Sequence, residues 1–288
     1  MDAQISITHD LVGKILPRRS CDSHKGDYGY LLNIAGSSEY IGAAALSTLA
    51  ALRSGVGICC LCAPREVIAS VSSSIYEAIY LQLEEEPSVL SVLASYLKRA
   101  TAISLGMGIG LSNRAREIVS YVLKNANCPI ILDADGINCI ADNISIVSDI
   151  VDRSSLIITP HPGEMARLMK VTAEQVQANR VQAAKSLCEE MGAIVVLKGS
   201  NTVIAVPSGG IYVNTTGNAG LARGGAGDVL SGMIAALLAQ GIPAPESAIA
   251  GVYLHGLAAD MVAARTSMQG MLPSDVITEL PMVFRLFE

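Results

Sequence analysis

The run Gly217-Asn218-Ala219-Gly220-Leu221-Ala222-Arg223-Gly224-Gly225-Ala226-Gly227-Asp228 is followed at once by Val229-Leu230-Ser231-Gly232-Met233-Ile234-Ala235-Ala236-Leu237-Leu238. Five glycines and one carboxylate therefore stand directly before a long apolar run with helical periodicity. Glycine lets a backbone turn its N–H groups toward one point. A helix start adds unpaired N–H groups and the positive end of the helix dipole. Gly224, Gly225, Ala226 and Gly227 together read as an anion hole, most often one for phosphate. Asp228 is out of place there, because a carboxylate repels phosphate. Its position makes sense where a proton must be accepted, or a hydroxyl positioned, beside a phosphoryl group in transfer. The simpler reading is a glycine-rich turn with Asp as an ordinary first-turn residue. Gly-Gly-x-Gly-Asp alone does not separate the two.

Outward from this run a strand–helix rhythm repeats. Tyr30–Ala35 reads as a strand and Ile41–Arg53 as an Ala-rich helix, followed by a strand at Val56–Cys62. A helix over Val89–Arg99 precedes a strand at Ala102–Leu105, and Ser112 looks like the N-cap of a helix over Asn113–Lys124. Pro129–Asp133, Leu156–Thr159 and Ile194–Lys198 are apolar strands. Thr172 opens a helix reaching Met191, which Gly192 ends. Thr202–Val206 and Ile211–Val213 form a hairpin, and helices are predicted from Gly227 to Gln240, over Pro245–Ala264 and over Pro273–Phe287. Strands alternating with helices imply an α/β sandwich with a mostly parallel sheet. Each unusual polar cluster follows an apolar strand: Gly36-Ser37-Ser38, Gly106–Gly110, Asp133-Ala134-Asp135, Pro160–Glu164 and Lys198–Asn201. Ligands in such sheets bind beyond the carboxyl ends of the strands. With no internal repeat or linker, residues 1–288 read as one domain.

The composition supports this. Of 288 residues, 51% are hydrophobic and 16% charged, enough for one large domain with a deep core. Mean hydropathy is +0.44. The apolar residues are mostly small aliphatics, with no Trp and Phe only at 284 and 287, which suits a parallel sheet covered on both faces. The longest apolar runs break at Arg53, Arg223 and Gln240, so no membrane span is expected, and the N-terminus does not read as a signal peptide. The seven cysteines lie mostly in apolar runs such as Cys59-Cys60-Leu61-Cys62, which points to thiols in a reducing cytoplasm. Period-two strand geometry would send these side chains to opposite faces, against a metal site. A net charge of −6 argues against nucleic-acid binding but not against a phosphate-bearing small molecule. Lys25, Lys198 and Arg223 are the candidate cations, and the high apolar content makes a homo-oligomer the expectation.

Several polar groups can carry chemistry. In Thr159-Pro160-His161-Pro162-Gly163-Glu164, two prolines fix the backbone around a histidine at a strand end. Glu164 can hold a magnesium ion through water, or simply complement a helix dipole. Asp133-Ala134-Asp135-Gly136-Ile137-Asn138 can bind magnesium or order a loop. Lys198-Gly199-Ser200-Asn201-Thr202 offers backbone N–H groups and an ammonium to a nucleotide phosphate. The glycines of Lys25-Gly26-Asp27-Tyr28-Gly29-Tyr30 suggest close approach to a ligand, or a bend.

Taken in order, Lys25–Gly29 with Ala35-Gly36-Ser37, Asp133–Asn138, Thr159–Glu164, Leu197–Gly199 and Gly217–Asp228 resemble the ADP- or ATP-dependent NAD(P)H-hydrate dehydratases of the ribokinase-like superfamily. The resemblance covers nearly the whole chain. It implies a three-layer α/β/α sandwich and an enzyme that repairs hydrated NADH and NADPH. A nucleotide phosphorylates the added ring hydroxyl, and phosphate then leaves. The resemblance implies that Asp228 contacts that hydroxyl beside the Gly224–Gly227 anion hole. His161, Ala43 and Gly108 would line the same pocket, Lys198, Gly199, Ser200, Asn201, Thr202 and Gly227 would contact the adenine nucleotide, and Mg2+ would accompany it. Compact stand-alone members tend to use ADP, which is the expectation here. The chain starts about two dozen residues before Lys25, so the epimerase domain fused to some members is expected to be missing. Where the family's glycine run commonly has Pro, Met, Thr and Thr, this one has Ala219, Leu221, Arg223 and Ala226. Arg223 can compensate for a lost hydroxyl or face solvent.

Phosphoryl transfer needs positioning and charge neutralisation more than a strong base. A carboxylate at a helix N-terminus should have a low pKa, so Asp228 is expected to be a poor base that takes its proton late. Two other readings use the same residues. A ribokinase-like kinase for a vitamin-precursor alcohol would release a stable phosphate ester, and many such kinases carry Asn where His161 stands. A non-catalytic nucleotide-binding protein would be expected to lose Asp228 or its glycines, and both are present.

Overall fold

In chain order the strands are β1 (Gln4–Ser6), β2 (Tyr30–Ile34), β3 (Ile58–Ala63), β4 (Ile79–Gln82), β5 (Ala102–Leu105), β6 (Ile130–Leu132), β7 (Leu156–Ile158), β8 (Ile194–Leu197), β9 (Val203–Ala205) and β10 (Ile211–Val213). The helices are α1 (His9–Ile15), α2 (Ile41–Arg53), α3 (Arg65–Val71), α4 (Val89–Leu97), α5 (Asn113–Asn125), α6 (Asp135–Ile140), α7 (Pro162–Met169), α8 (Ala173–Ala178), α9 (Arg180–Met191), α10 (Ala226–Ala239), α11 (Ala244–Arg265) and α12 (Pro273–Arg285). This computed structural model describes residues 4–83, 89–150 and 152–288.

The strands form one sheet in the order β4-β3-β2-β5-β6-β7-β8-β9-β10-β1. From β4 to β8 every pair is parallel, while β8–β9 and β9–β10 are antiparallel. Successive strand side chains alternate between two cores, as period two requires. Leu31, Cys59, Ala102, Ile131, Ile157 and Ile194 pack with α10, α11 and α12. Leu32, Cys60, Cys62, Ile103, Leu132, Ile158 and Val195 pack on the other face with residues of α4, α5 and α9. The result is the expected three-layer α/β/α sandwich, and Cys59 does face away from Cys60 and Cys62.

Helix α10 positions the site. Almost all its side chains are buried, which fits a helix that is apolar all round. Its Gly232 allows a backbone crossing against α2: a Cβ there would stand 2.2 Å from the Ser47 carbonyl oxygen. Helix α11 meets the length and hydropathy of a membrane span, contrary to expectation, but 72% of that window is buried inside the fold. It is a core helix.

Three further expectations change. The helix predicted from Thr172 to Met191 is two helices, broken at Asn179, whose φ and ψ are −148° and 68°. The Asn179 side chain accepts the Gln182 N–H, so it caps α9 instead of continuing α8. The glycines near Lys25 belong to a short 3-10 turn that packs on the protein's own backbone. That segment lies at the amino end of β2, and a Cβ on Gly29 would meet the Ala239 carbonyl at 1.8 Å. The close approach is backbone on backbone, and Lys25 lies at the end of the sheet away from the anion hole. Strands β1 and β4 and helices α1, α3 and α6 were not expected, whereas α7 begins where Glu164 was read as complementing a helix dipole.

Candidate active site

The five polar clusters singled out from the sequence follow β2, β5, β6, β7 and β8 and so gather at one end of the sheet. Gly225, with φ +94°, is the N-cap of α10, so the chain enters the helix through a left-handed turn. Among the described residues, the N–H groups of Gly224, Gly225, Gly227 and Asp228 have no acceptor. The Ala226 N–H differs, because it bonds to the Arg223 carbonyl at 3.3 Å. Of the four amides expected to form an anion hole, those of Gly224, Gly225 and Gly227 are thus free of an acceptor, as is that of Asp228. Upstream, Asp260 of α11 holds the run in place, accepting from Gly217 N–H and Asn218 Nδ2, each at 2.8 Å. Arg223 is exposed and donates to the Gln269 carbonyl, so its guanidinium braces a neighbouring loop.

Charges converge below this turn. Lys198 Nζ lies 2.5 Å from Asp133 Oδ1 and 3.8 Å from Glu164 Oε2. Ser231, one helical turn after Asp228, donates to Asp133 Oδ2 at 2.7 Å. A Cβ on Gly227 would meet Lys198 Nζ at 3.4 Å and Asp133 Oδ2 at 3.7 Å, which sets this pair against the first turn of α10. The Lys198 ammonium was expected to face a nucleotide phosphate; here it is turned inward because two buried carboxylates claim it. Their attraction outweighs the burial that opposes its charge, and its pKa is raised.

Asp228 overturns the expectation of a low pKa. Burial, and then the Asp133 carboxylate, push it up to about 7, with Asp135 and Glu164 adding to the rise and Lys198 opposing it. The helix dipole is worth about a unit or less at such a position and does not reverse this. Asp228 is thus held near its protonation midpoint around neutral pH, not fully ionised as its helix position alone would have it.

His161 is the N-cap of α7, and its Nδ1 accepts from the N–H groups of Gly163 and Glu164 at 2.9 and 3.3 Å. Two donors on Nδ1 put the proton on Nε2, which faces Glu164 Oε1 at 3.4 Å. Burial, with Lys198 and Arg167, lowers the His161 pKa and keeps the ring neutral. Half-exposed, it can still offer Nε2–H to a ligand. On the neighbouring strand end, Gly108 (φ +66°) lies against the first turn of α2, where a Cβ would meet Tyr40 Cβ at 2.5 Å and Ala43 Cβ at 2.9 Å. Ala43 and Gly108 are thus brought together, with Tyr40 half-exposed beside them.

The Lys198–Thr202 turn follows β8. Gly199–Asn201 are exposed, Asn201 is left-handed at φ 53°, and Thr202 Oγ1 donates to the Gly199 carbonyl. Arg180, which the sequence did not single out, donates from Nη2 to Leu197 O at 2.9 Å and from Nη1 to Lys198 O at 3.3 Å. Nothing in the sequence links Arg180 to that turn. Ser231 was detectable, because i and i+3 share a helix face.

Glu164 is committed as well. Its Oε2 accepts the His161 N–H at 2.7 Å, which closes a capping box. Among the described residues no group of three His, Cys, Asp or Glu side chains could hold a metal ion directly. Glu164, expected to hold magnesium through water, is instead buried, with Oε1 facing His161 Nε2 and Oε2 facing Lys198 Nζ.

With this geometry established, comparison with known proteins decides the lineage. The family model described as NAD(P)H-hydrate dehydratase matches residues 31–282. The chain belongs to the NAD(P)H-hydrate dehydratase family. It is 34% identical to the ADP-dependent (S)-NAD(P)H-hydrate dehydratase of Bacillus subtilis, over 98% of each chain. The crystal structure of the ADP/ATP-dependent dehydratase from that organism, co-crystallised with ATP/Mg2+, superposes with a TM-score of 0.85 at 33% identity and covers 99% of both chains. The bifunctional NAD(P)H-hydrate repair enzyme of Moorella thermoacetica is 37% identical over 95% of this chain. The chain spans about half the length of such bifunctional relatives, at 52%.

Proposed function

We propose that this protein is an ADP-dependent (S)-NAD(P)H-hydrate dehydratase. The observation that carries the reading is Asp228, a half-buried carboxylate poised at about 7 within a turn of unbonded amides. The transferred phosphoryl group lies against the amides of Gly224, Gly225 and Gly227, which offset charge growing on its oxygens. The hydroxyl of the hydrated ring attacks phosphorus and passes its proton to Asp228. When bound, magnesium supplies further neutralisation of the phosphate oxygens. His161 orients the ring through Nε2–H, and Ala43 with Gly108 bounds the cleft. The exposed Gly199–Asn201 turn and Thr202 hold the adenine nucleotide.

The phosphate ester then breaks at its C–O bond. The ring nitrogen supplies the electron pair, and loss of a proton from the adjacent ring carbon restores the reduced nicotinamide. The products are NADH or NADPH, inorganic phosphate and AMP from ADP. The seven free thiols support a cytoplasmic setting. Exposed Met282 and Leu286 at the end of α12 support a homo-oligomer.

The test is a spectrophotometric assay with hydrated NADH, magnesium and either ADP or ATP. Return of reduced-nicotinamide absorbance with equal release of phosphate supports the reading. A folded protein that restores nothing with either nucleotide contradicts it.

A further inference from the structure

Asp133 is 1% exposed, and every oxygen of its carboxylate is engaged. Oδ1 takes Lys198 Nζ at 2.5 Å and the Ala134 N–H at 2.8 Å, and Oδ2 takes Ser231 Oγ at 2.7 Å. Ala134 adopts φ 50° and ψ −119°, a left-handed conformation that a non-glycine residue reaches only under constraint. That bend turns its N–H onto Asp133. Lys198 comes from a strand end two places away in the sheet, and Ser231 from the helix that carries Asp228. The unit therefore ties the ends of β6 and β8 to the start of α10, and Asp133, 1% exposed, is already fully bonded.

We propose that Asp133 is a positioning residue: it holds the Lys198 ammonium against the first turn of α10, and the balance of those two opposite charges sets when Asp228 can accept the substrate proton. This rests on the role proposed above for Asp228. The groups facing Asp228 are Asp133 at the end of β6, Asp135 on α6, Glu164 on α7 and Lys198 after β8. Helix α11 brings His255 beside Ala226, where burial holds that ring neutral, and its Asp260 binds the upstream end of the run at Gly217 and Asn218. Helices α2 and α12 meet Gly225 through Leu46 and Pro273, which carry no charge. Of these groups, Lys198 alone favours ionised Asp228, and Asp133 opposes that ionisation more than any other charge.

The test is the pH dependence of kcat at saturating substrate and nucleotide, for the wild type, Asp133→Asn, Lys198→Met and the double variant. Removing the anion moves the acidic limb to lower pH, and removing the cation moves it to higher pH, each by about one unit. The double variant falls between them. Unmoved limbs with a lower plateau, or shifts in the same direction, overturn the proposal. Should Asp133→Asn fail to fold, Lys198→Met alone decides, because its limb must move upward. Asp228→Asn is assayed alongside. If it keeps turnover, the role of Asp228 fails; if it is inactive and the limbs stay fixed, only the positioning proposal fails.

Discussion

Gly108 lies directly against Ala43: a Cβ added at Gly108 would stand 2.9 Å from the Ala43 methyl and 2.5 Å from Tyr40 Cβ. The loop after β5 and the first turn of α2 therefore pack directly on each other, at the place proposed to bound the hydrated cofactor. Gly108→Ala brings both a clash and an unfavourable φ of +66°. We expect a loss of about 1–2 kcal/mol in stability and a rise of about tenfold or more in KM for the hydrated cofactor. Nucleotide affinity should change little. Urea denaturation, steady-state kinetics and calorimetric nucleotide titration check the three parts.

With the role proposed for Asp228, both activity and stability should depend on pH. Its folded pKa, about 7, lies above the ordinary value of 3.8. Turnover should rise as pH increases from 6 to 8, as the carboxylate becomes able to accept a proton. Stability runs the other way. A raised acid favours the folded state while protonated, and that contribution is lost as pH climbs from about 4 to about 7. Asp228→Asn should therefore be more stable than the wild type at pH 8, by about 2–4 kcal/mol. The gap should close below pH 4. Denaturation at pH 4 and pH 8 measures it.

Arg180 braces the exposed turn after β8 from beneath, through Leu197 O and Lys198 O. Arg180→Ala should raise KM for the nucleotide about tenfold, the scale of a charged hydrogen bond. KM for the hydrated cofactor should stay within twofold or so. A matched rise in both would mean that the turn supports the whole cleft.

Ser112 Oγ accepts the Ala115 N–H at 3.1 Å and caps α5. Ser112→Ala should lower stability by about 1 kcal/mol and leave kcat unchanged. Urea denaturation with parallel kinetics checks it.

Long apolar periodicities made most of the fold legible. Helix α2 runs Ile41–Arg53 as expected, and α5 begins at the Ser112 cap. The short elements stayed hidden for local reasons. Helix α6 begins inside the Asp133–Asn138 cluster, whose polar residues also read as a turn. Strand β1 has three exposed residues and no apolar alternation to reveal it. At the site, each loop was legible because it followed an apolar strand. The pairing of Lys198 with Asp133 was not, because 65 positions separate them. The same non-local packing explains Asp228. Its helix position argued for a low pKa, but carboxylates from two other strand ends and the burial they share decide it.

The central claim is that the added hydroxyl is phosphorylated before it departs. Hydrated NADH carrying oxygen-18 in that hydroxyl tests this directly, with magnesium, ADP and enzyme, and mass analysis of the released phosphate. Each phosphate formed in turnover should carry the label, because the C–O bond breaks after the P–O bond has formed. Unlabelled phosphate, with the oxygen-18 recovered in water, would contradict it.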